Sequence, residues 1–501
     1  MGESPYRLQE ALGDTSDRVA LIHGEHHLSY ADLDARADRV AEALGASGLG
    51  PGARLAVLAR TRIEIPELLI GAARAGVVTV PVNWRLSAGE CAAILAHCRA
   101  ELVIADAESL AVLPSVAGRV VELGPDYESW LSEAPRTTDG PSPTRRTDST
   151  PDDVVLQVYT SGTSGSPKGV LLTDANLAAK VAQIGPWWGL NRDSRSLLAT
   201  PLFHVGGLSW ILVSLYAGAT TYLAHDTSPV GLQRVILDRQ ITHTFLVPTM
   251  IHSLVELSWD PSETSWLQAI VHGAAPMPAA VQDAAFERFG PVLHHVYGLS
   301  ETTGAVAELP ASAVVDDARR HRSVGRAYPW VQLGIRDPQT EREVGAGGFG
   351  EVWVRSGQNT PGYAESPELT EQLITADGWL RTGDGGYVDE DGYLYLTDRI
   401  KDLIITGGEN VHPGEVEEAL ESHPDVREAV AFGLPDDHWG ERVAAAVTLR
   451  AGARVEPDDL RAFVGQTLAR YKQPSDVWIV ESLPRNATGK VLRRDLKEQF
   501  T

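Results

Sequence analysis

Apolar positions along the first 130 residues fall into two alternating rhythms. Leu33, Ala37, Val40 and Leu44 recur at helical spacing behind Ser29, a residue suited to cap a helix, and Gly45 is expected to close it. A short apolar run at 55–59 reads as a buried strand. A helix over 64–76, a strand over 77–82, a helix over 88–99 and a strand over 101–105 follow. Strands alternating with helices need right-handed crossovers, so the pattern predicts a mainly parallel sheet covered by helices. Residues 133–152 (EAPRTTDGPSPTRRTDSTPD) have no apolar period and are rich in Pro, Thr and Asp, as expected of a surface connector between two α/β subdomains. The alternation resumes at Val154 and runs to about Tyr297. From 323 to 396 short strands with Gly, Pro and Asp turns predict a small β-rich subdomain. Beyond Asp398 a separate α+β unit of roughly a hundred residues is expected on domain-size grounds.

Composition narrows the classes. A chain of 501 residues is too long for one ordinary core. Its 43% hydrophobic and 22% charged residues supply large cores and carry no signature of overall disorder. The formal net charge of -24 argues against non-specific nucleic-acid binding, which needs a cationic field. Local lysines and backbone N–H groups can still hold a nucleotide phosphate. Two cysteines, Cys91 and Cys98, share one predicted helix and read as buried small hydrophobes rather than a metal or redox pair. That count excludes a disulfide framework and suits a reducing cytoplasm. The opening MGESPYRLQE lacks a basic-then-apolar signal, and Tyr6 spoils a myristoylation pattern. The apolar stretch 210–219 is too short and Gly-punctuated to span a bilayer. A soluble, cytoplasmic protein with no membrane insertion is expected.

Residues 159–169 (YTSGTSGSPKG) carry the strongest chemical signal, directly behind the apolar strand 154–158. Glycines permit sharp turns, so several N–H groups can face one anion, and hydroxyls and Lys168 add donors. The segment is a phosphate-gripping loop by composition, but not a Walker A loop. Counted from Gly162, Pro167 stands where the second glycine belongs, and Gly169 replaces the Mg-binding Ser/Thr. A second glycine cluster, 345–350 (GAGGFG), matches the dinucleotide fingerprint in letters only. It is followed by EVWVR, a strand, whereas the fingerprint must open a helix.

The segment 159–169 closely resembles the signature loop of the acyl-adenylate-forming superfamily: acyl-CoA synthetases, coumarate–CoA-type ligases, luciferases and peptide-synthetase adenylation domains. Further matches follow in that superfamily's order: 201–207 (PLFHVGG), 273–278 (GAAPMP), 297–302 (YGLSET), 381–384 (RTGD), 398–417 (DRIKDLIITGGENVHPGEVE) and 484–490 (PRNATGK). Each is weak alone; together, in order, they are specific and cover nearly the whole chain.

The resemblance, on its acyl-CoA synthetase branch, implies an α/β fold with a large N-terminal adenylation domain over 1–399. That domain would hold two doubly wound α/β subdomains and the β-rich one at about 323–396. A small, mobile α+β domain over 400–501 would follow. It implies ATP held by Thr160, Ser161, Gly162, Thr163, Ser164, Gly165 and Lys168, with Ser164 in place of the usual Thr. Tyr297 and Gly298 would flank the adenine, bounded on its other face by Gly273, Ala274 and Ala275. Ser300 stands at the position that binds the α-phosphate, and Glu301 at that of the Mg²⁺ ligand, a role suited to a carboxylate beside phosphate oxygens. Asp384 corresponds to the carboxylate that accepts from the ribose hydroxyls, with Arg399 in support. Lys490, eleven residues from the last, matches the lysine that bridges the substrate carboxylate and α-phosphate. Lys401 matches the hinge. Gly407, Gly408 and Glu409 match the pantetheine channel of coenzyme A, and Tyr471 and Lys472 its nucleotide contacts.

By the same resemblance the acid lies beside His204, Gly206, Gly207, Gly273, Gly304, Ala305 and Val306, with His204 as a gate. No Asp near His204 is available to hold an ammonium group, which disfavours an amino acid. No Arg or Lys lies in these segments, which disfavours a dicarboxylate. The two glycines after His204 leave room, and Leu208, Trp210, Trp187 and Trp188 offer apolar surface, so a hydrophobic monocarboxylate, aromatic or bulky, is the expected substrate. His272, before GAAP, departs from the usual small residue beside that pocket. The expected reaction is acid plus ATP to acyl-adenylate and pyrophosphate, then transfer to CoA. A carrier-protein phosphopantetheine is the alternative acceptor, because the thiol chemistry is the same. A non-catalytic binding protein on this fold is the rival of another class, and intact Lys168, Glu301, Asp384 and Lys490 speak against it.

Overall fold

The computed structural model describes residues 6, 17–111, 113, 118–135, 150–160, 167–260, 264–275, 277–399, 402–406, 409–436, 438–485 and 491–501, with residues 279, 315, 316, 318, 319, 398, 399, 409 and 410 described by backbone alone. The chain forms two compact units, Met1–Gln332 with Val354–Leu380, and Leu333–Trp353 with Arg381–Thr501.

The first unit is α/β and is built on two large sheets. The nine-stranded sheet runs, in spatial order, Arg326–Ala327, Gly304–Pro310, Leu293–Leu299, Ala269–His272, His243–Leu246, Arg195–Leu198, Thr220–Leu223, Val19–His23 and His26–Ser29. Its six inner strands, Leu293–Leu299 through Val19–His23, are parallel, and antiparallel strands finish both sides. The seven-stranded sheet runs Gly362–Tyr363, Lys168–Thr173, Val154–Thr160, Val78–Pro81, Arg54–Leu58, Leu102–Ala105 and Arg119–Glu122. Its crossovers are the expected helices, which bury Cys91, Ile94 and Cys98 against Ala56 and Val80. Both cysteines are unpaired core residues.

Two features depart from the sequence reading. The connector does not separate the two sheets in chain order. The strands before it at Val19–Ser29 join the nine-stranded sheet through Leu21 beside Thr221, whereas Val154–Thr173, after it, returns to the seven-stranded sheet through Leu156 beside Thr79. Pairing over long separations is invisible to local periodicity. The other departure is Gly45, which does not end its helix. The helix spans Tyr30–Ala46, with Ser47 as its C-cap. Its start is as expected: Ser29 accepts from the Asp32 N–H while the Asp32 carboxylate accepts from the Ser29 N–H at 3.1 Å. Such a capping box contributes about 1 kcal/mol.

The second unit is built on two smaller sheets. One orders Gln332–Arg336, Gly350–Arg355, Leu380–Val388 and Leu394–Arg399. Residues 345–350 lead straight into the strand Gly350–Arg355, with Gly347 at φ +76°, so this glycine cluster is a turn and not a dinucleotide fingerprint. The other sheet orders Glu409–Val411, Ile404–Thr406, Gly440–Leu449 and Val426–Asp436, with Asp476–Ile479 parallel to Gly440–Leu449. Its core joins Ile404, Val416, Leu420, Val443 and Leu460. Among the described residues no helix is long and apolar enough to cross a membrane.

Candidate active site

The phosphate-loop segment is flanked by a two-stranded frame. Val154–Thr160 and Lys168–Thr173 are antiparallel, with Tyr159 opposite Gly169 and Thr160 opposite Lys168. The frame thus brings Thr160 and Lys168 face to face at the two ends of the loop. Ser161, Gly162, Thr163, Ser164 and Gly165 lie outside the described residues. The short strand Gly362–Tyr363 pairs with the outer side of this frame, Tyr363 opposite Val170. That register puts the Lys168 ammonium over the Tyr363 ring, 5.6 Å from its centre.

Tyr363 also reaches the second motif. Its hydroxyl donates to Oε1 of Glu301 at 2.7 Å, and the backbone N–H of Thr360 donates to the Glu301 carbonyl oxygen at 2.7 Å. Glu301 sits in the turn between Leu293–Leu299 and Gly304–Pro310. The turn is closed by Thr303 N–H to Ser300 oxygen at 3.0 Å and by the Thr302 hydroxyl, which donates to the Gly304 oxygen at 2.7 Å. Gln358 braces it from beside, donating to the carbonyl oxygens of Thr302 and Ala305, both at 2.8 Å. Two positions require glycine: Gly304 has φ +96°, and a Cβ on Gly298 would lie 2.0 Å from the Gly304 oxygen. Ser300 and Glu301 are therefore presented half-exposed on a rigid turn, a geometry suited to groups that position a substrate.

Tyr297 is buried one strand away from Gly273, where a Cβ would lie 2.5 Å from the Val296 oxygen. Ala274 and Ala275 follow, exposed, with Ala274 in the left-handed region at φ +70°. Left-handed backbone at a non-glycine residue is costly and recurs at functional sites. These residues leave a shelf of small side chains at the carboxyl ends of parallel strands, where ligands of open α/β sheets bind.

His204 is the N-cap residue of the helix Val205–Tyr216, its ring 4.4 Å from that of Phe203. Burial, with Arg85 adding to it, pushes its pKa down to about 4, so the imidazole is neutral at pH 7. The space beside the next two glycines is already filled. A Cβ on Gly206 would meet the Phe245 ring at 2.8 Å, and one on Gly207 the Pro201 oxygen at 2.3 Å. These glycines let the helix pack close, and the aromatic surface near Gly206 is Phe245 backed by Trp210, 6.3 Å away. Ala305 and Val306 are buried behind the turn. Trp187 and Trp188 serve another purpose. Both indoles donate to Oε2 of the buried Glu308, at 3.0 and 2.9 Å, beside the Tyr328 hydroxyl at 2.8 Å.

In the second unit Asp384 lies on the strand Leu380–Val388, half-buried, with Arg399 as its partner across the ladder. Its N–H donates to the Thr382 hydroxyl at 3.1 Å. Lys472 pairs with Glu415, and Tyr471 is 44% exposed. Glu409 begins the strand Glu409–Val411. Lys401, Gly407, Gly408 and Lys490 lie outside the described residues.

Sequence reading missed Tyr363 and Lys180. Tyr363 belongs to no motif; only its strand register brings it between Lys168 and Glu301. Lys180, on the helix Asp174–Trp187, is 3% exposed and donates to the Thr303 oxygen at 2.6 Å and to Ser209 Oγ at 3.0 Å. The absence of Lys from the acid-pocket segments is thus offset by a lysine from a different helix.

Glu301 fits a magnesium site that is shared with substrate. With Oε1 taken by Tyr363, Oε2 has no partner among the described residues. Those residues include no group of three or more His, Cys, Asp or Glu that would hold a metal unaided. Mg²⁺ is commonly held by one or two carboxylates plus substrate phosphates, which a lone half-exposed glutamate allows.

Residues 8–364 match the family described as AMP-binding enzyme, and residues 415–490 match the AMP-binding enzyme C-terminal domain. A fatty acid–acyl-carrier-protein ligase of Streptomyces coeruleorubidus is 36% identical over 94% of this chain and 92% of its own length. A feruloyl-CoA synthase of an Amycolatopsis species is 34% identical over 96% of each. The crystal structure of ATP-bound MatB from Rhodopseudomonas palustris superposes with a TM-score of 0.89 at 29% identity, covering 99% of both chains. With its motifs in order, its fold matched over its length and both profiles matched, this chain belongs to the AMP-binding enzyme family.

Proposed function

We propose that the chain is an ATP-dependent carboxylic acid–CoA ligase acting on a hydrophobic, aromatic or bulky monocarboxylate. It would convert acid and ATP to acyl-adenylate and pyrophosphate, then acyl-adenylate and CoA to acyl-CoA and AMP. The observation that carries this reading is the convergence of Lys168 and Glu301 on Tyr363, which joins the phosphate loop and the Ser300–Glu301 turn into one polyanion-binding surface. The names of the relatives support it, since they include a feruloyl-CoA synthase and long-chain-fatty-acid–CoA ligases.

In this reading Lys168, Thr160 and the loop residues 161–165 grip the phosphates, and Ser300 binds the α-phosphate. Tyr297, Gly298 and 273–275 enclose adenine, while Asp384 and Arg399 hold ribose. Neutral His204 borders the acid as a hydrogen-bonding gate. Mg²⁺, when bound at Glu301, would neutralise phosphate charge. Lys490 supplies positive charge where the anhydride forms, which a preorganised donor does at no reorganisation cost. Functionally the boundary is placed at 399/400, with Lys401 as hinge. Residues 407–409, Tyr471 and Lys472 then serve the CoA half-reaction. The setting is taken as the cytoplasm, which supplies ATP and CoA.

A second acceptor has specific support, because one relative is named as an acyl-carrier-protein ligase. Offering purified enzyme free CoA and a phosphopantetheinylated carrier protein in one mixture, and identifying the thioester by mass spectrometry, separates the two. Acyl-CoA as the main product supports the ligase as stated; acyl-carrier alone overturns CoA as acceptor.

A further inference from the structure

Lys180 is the one lysine among the described residues with a fully buried side chain. Its two partners, the Thr303 oxygen and Ser209 Oγ, are neutral, and no carboxylate pairs with it among the described residues. Burying an amine without a counter-ion is unfavourable, and a methionine would fill the same space without that cost. An ammonium carries three N–H donors, so two hydrogen bonds leave one to spend.

Its location says on what. Ser209 lies one helical turn beyond Gly206, and Nζ stands 2.3 Å from where a Cβ on Gly304 would be. The amine thus joins two segments assigned to the acid, the helix behind His204 and the turn behind Glu301. The first of these segments carries aromatic surface: Phe245 is packed on Gly206, with the Trp210 ring 6.3 Å from it.

We propose that Lys180 determines substrate specificity by donating a hydrogen bond to a neutral oxygen, phenolic or ether, on the body of an aromatic or bulky monocarboxylate. This assignment rests on the ligase reading above. A neutral acceptor is favoured over a second carboxylate because the lysine has already committed two donors and no arginine fork accompanies it. Burial also pushes the amine's pKa down to about 7, so near neutral pH about half of the protein holds the ammonium, the form that carries the third donor.

The test compares kcat/KM for acid-dependent pyrophosphate release across 3-phenylpropenoate, its 4-hydroxy and 4-methoxy derivatives, a straight-chain alkanoate and a dicarboxylate of matching length. Wild-type enzyme is expected to favour an oxygenated acid over its unsubstituted parent by about ten- to a hundredfold, as for a charge-assisted hydrogen bond. Lys180→Met is expected to erase that preference, bringing kcat/KM for the oxygenated acid down to that of its unsubstituted parent. Lys180→Leu carries the same comparison should the Met variant fail to fold, and the wild-type ranking is informative in either case. A wild-type enzyme indifferent to the oxygen, a dicarboxylate as best substrate, a preference that survives Lys180→Met, or equal loss on every acid would each overturn the assignment. Failure of every acid to release pyrophosphate overturns the ligase reading itself, and this inference with it.

Discussion

The Tyr363 hydroxyl donates to Oε1 of Glu301 at 2.7 Å, while the face of the same ring carries the Lys168 ammonium at 5.6 Å. One aromatic residue outside every recognised motif therefore sets the spacing between the carboxylate proposed for Mg²⁺ and the cation proposed for phosphate. Tyr363→Phe keeps the ring and removes the hydrogen bond. It is expected to slow adenylate formation about three- to tenfold, the worth of one such bond, and to raise the Mg²⁺ concentration for half-activity. Glu301→Gln, a poorer ligand for a hard dication, should do the same more strongly. In the double variant the two losses should not add, because they act on one carboxylate. Fully additive losses would show that Tyr363 does not act through Glu301.

Lys490→Ala is expected to slow acid-dependent pyrophosphate release by about 10²–10³, typical for loss of one transition-state donor. Thioester formation from supplied acyl-adenylate should be largely spared, since no pyrophosphate departs in that step. Wild-type adenylation by this variant would remove Lys490 from the proposed site.

The turn that presents Glu301 depends on Gly298, where a Cβ would lie 2.0 Å from the Gly304 backbone oxygen. Backbone cannot swing aside as a flexible side chain can. Gly298→Ala should therefore cost about 1–3 kcal/mol of stability and displace Ser300 and Glu301. Thermal melting and the Mg²⁺ titration read the two effects separately. Unchanged values for both would contradict the account of the turn.

Much of this was legible in the sequence. The crossover helices, the cysteines as core residues and the glycine cluster 345–350 as a turn followed from local periodicity and turn chemistry. What escaped detection depended on distant pairing. Tyr363 enters the site only because a two-residue strand registers against Val170. Lys180 enters because one helix packs beside another and brings its amine to Ser209. Gly206 and Gly207 suggested open space, but Phe245 and the Pro201 carbonyl occupy it. A single sequence reports which side chains are small, not which neighbour fills the gap.

Buried histidines give the fold an acid limit. His272 and His295 stack with ring centres 4.9 Å apart, and burial lowers both pKa values, that of His295 to about 4. Burial likewise lowers His243 to about 4. A folded-state pKa below the unfolded 6.5 means that only the unfolded chain takes up the proton between those values. The contribution is fully present above pH 6.5 and is lost as pH falls toward 4, at about 1.4 kcal/mol per pH unit for each histidine. His295→Phe keeps an aromatic ring and removes one such group. The slope of unfolding free energy against pH from 6.5 to 4 should fall by about that amount. An unchanged slope would mean that His295 titrates normally.

The most direct test of the central claim is a balanced product analysis of wild-type enzyme with ATP, Mg²⁺, CoA and a panel of aromatic and bulky monocarboxylates. The account predicts acid-dependent pyrophosphate release without CoA. With CoA it predicts equal amounts of AMP, pyrophosphate and acyl-CoA. Formation of ADP and phosphate in place of AMP and pyrophosphate, or nucleotide turnover independent of any acid, would contradict it.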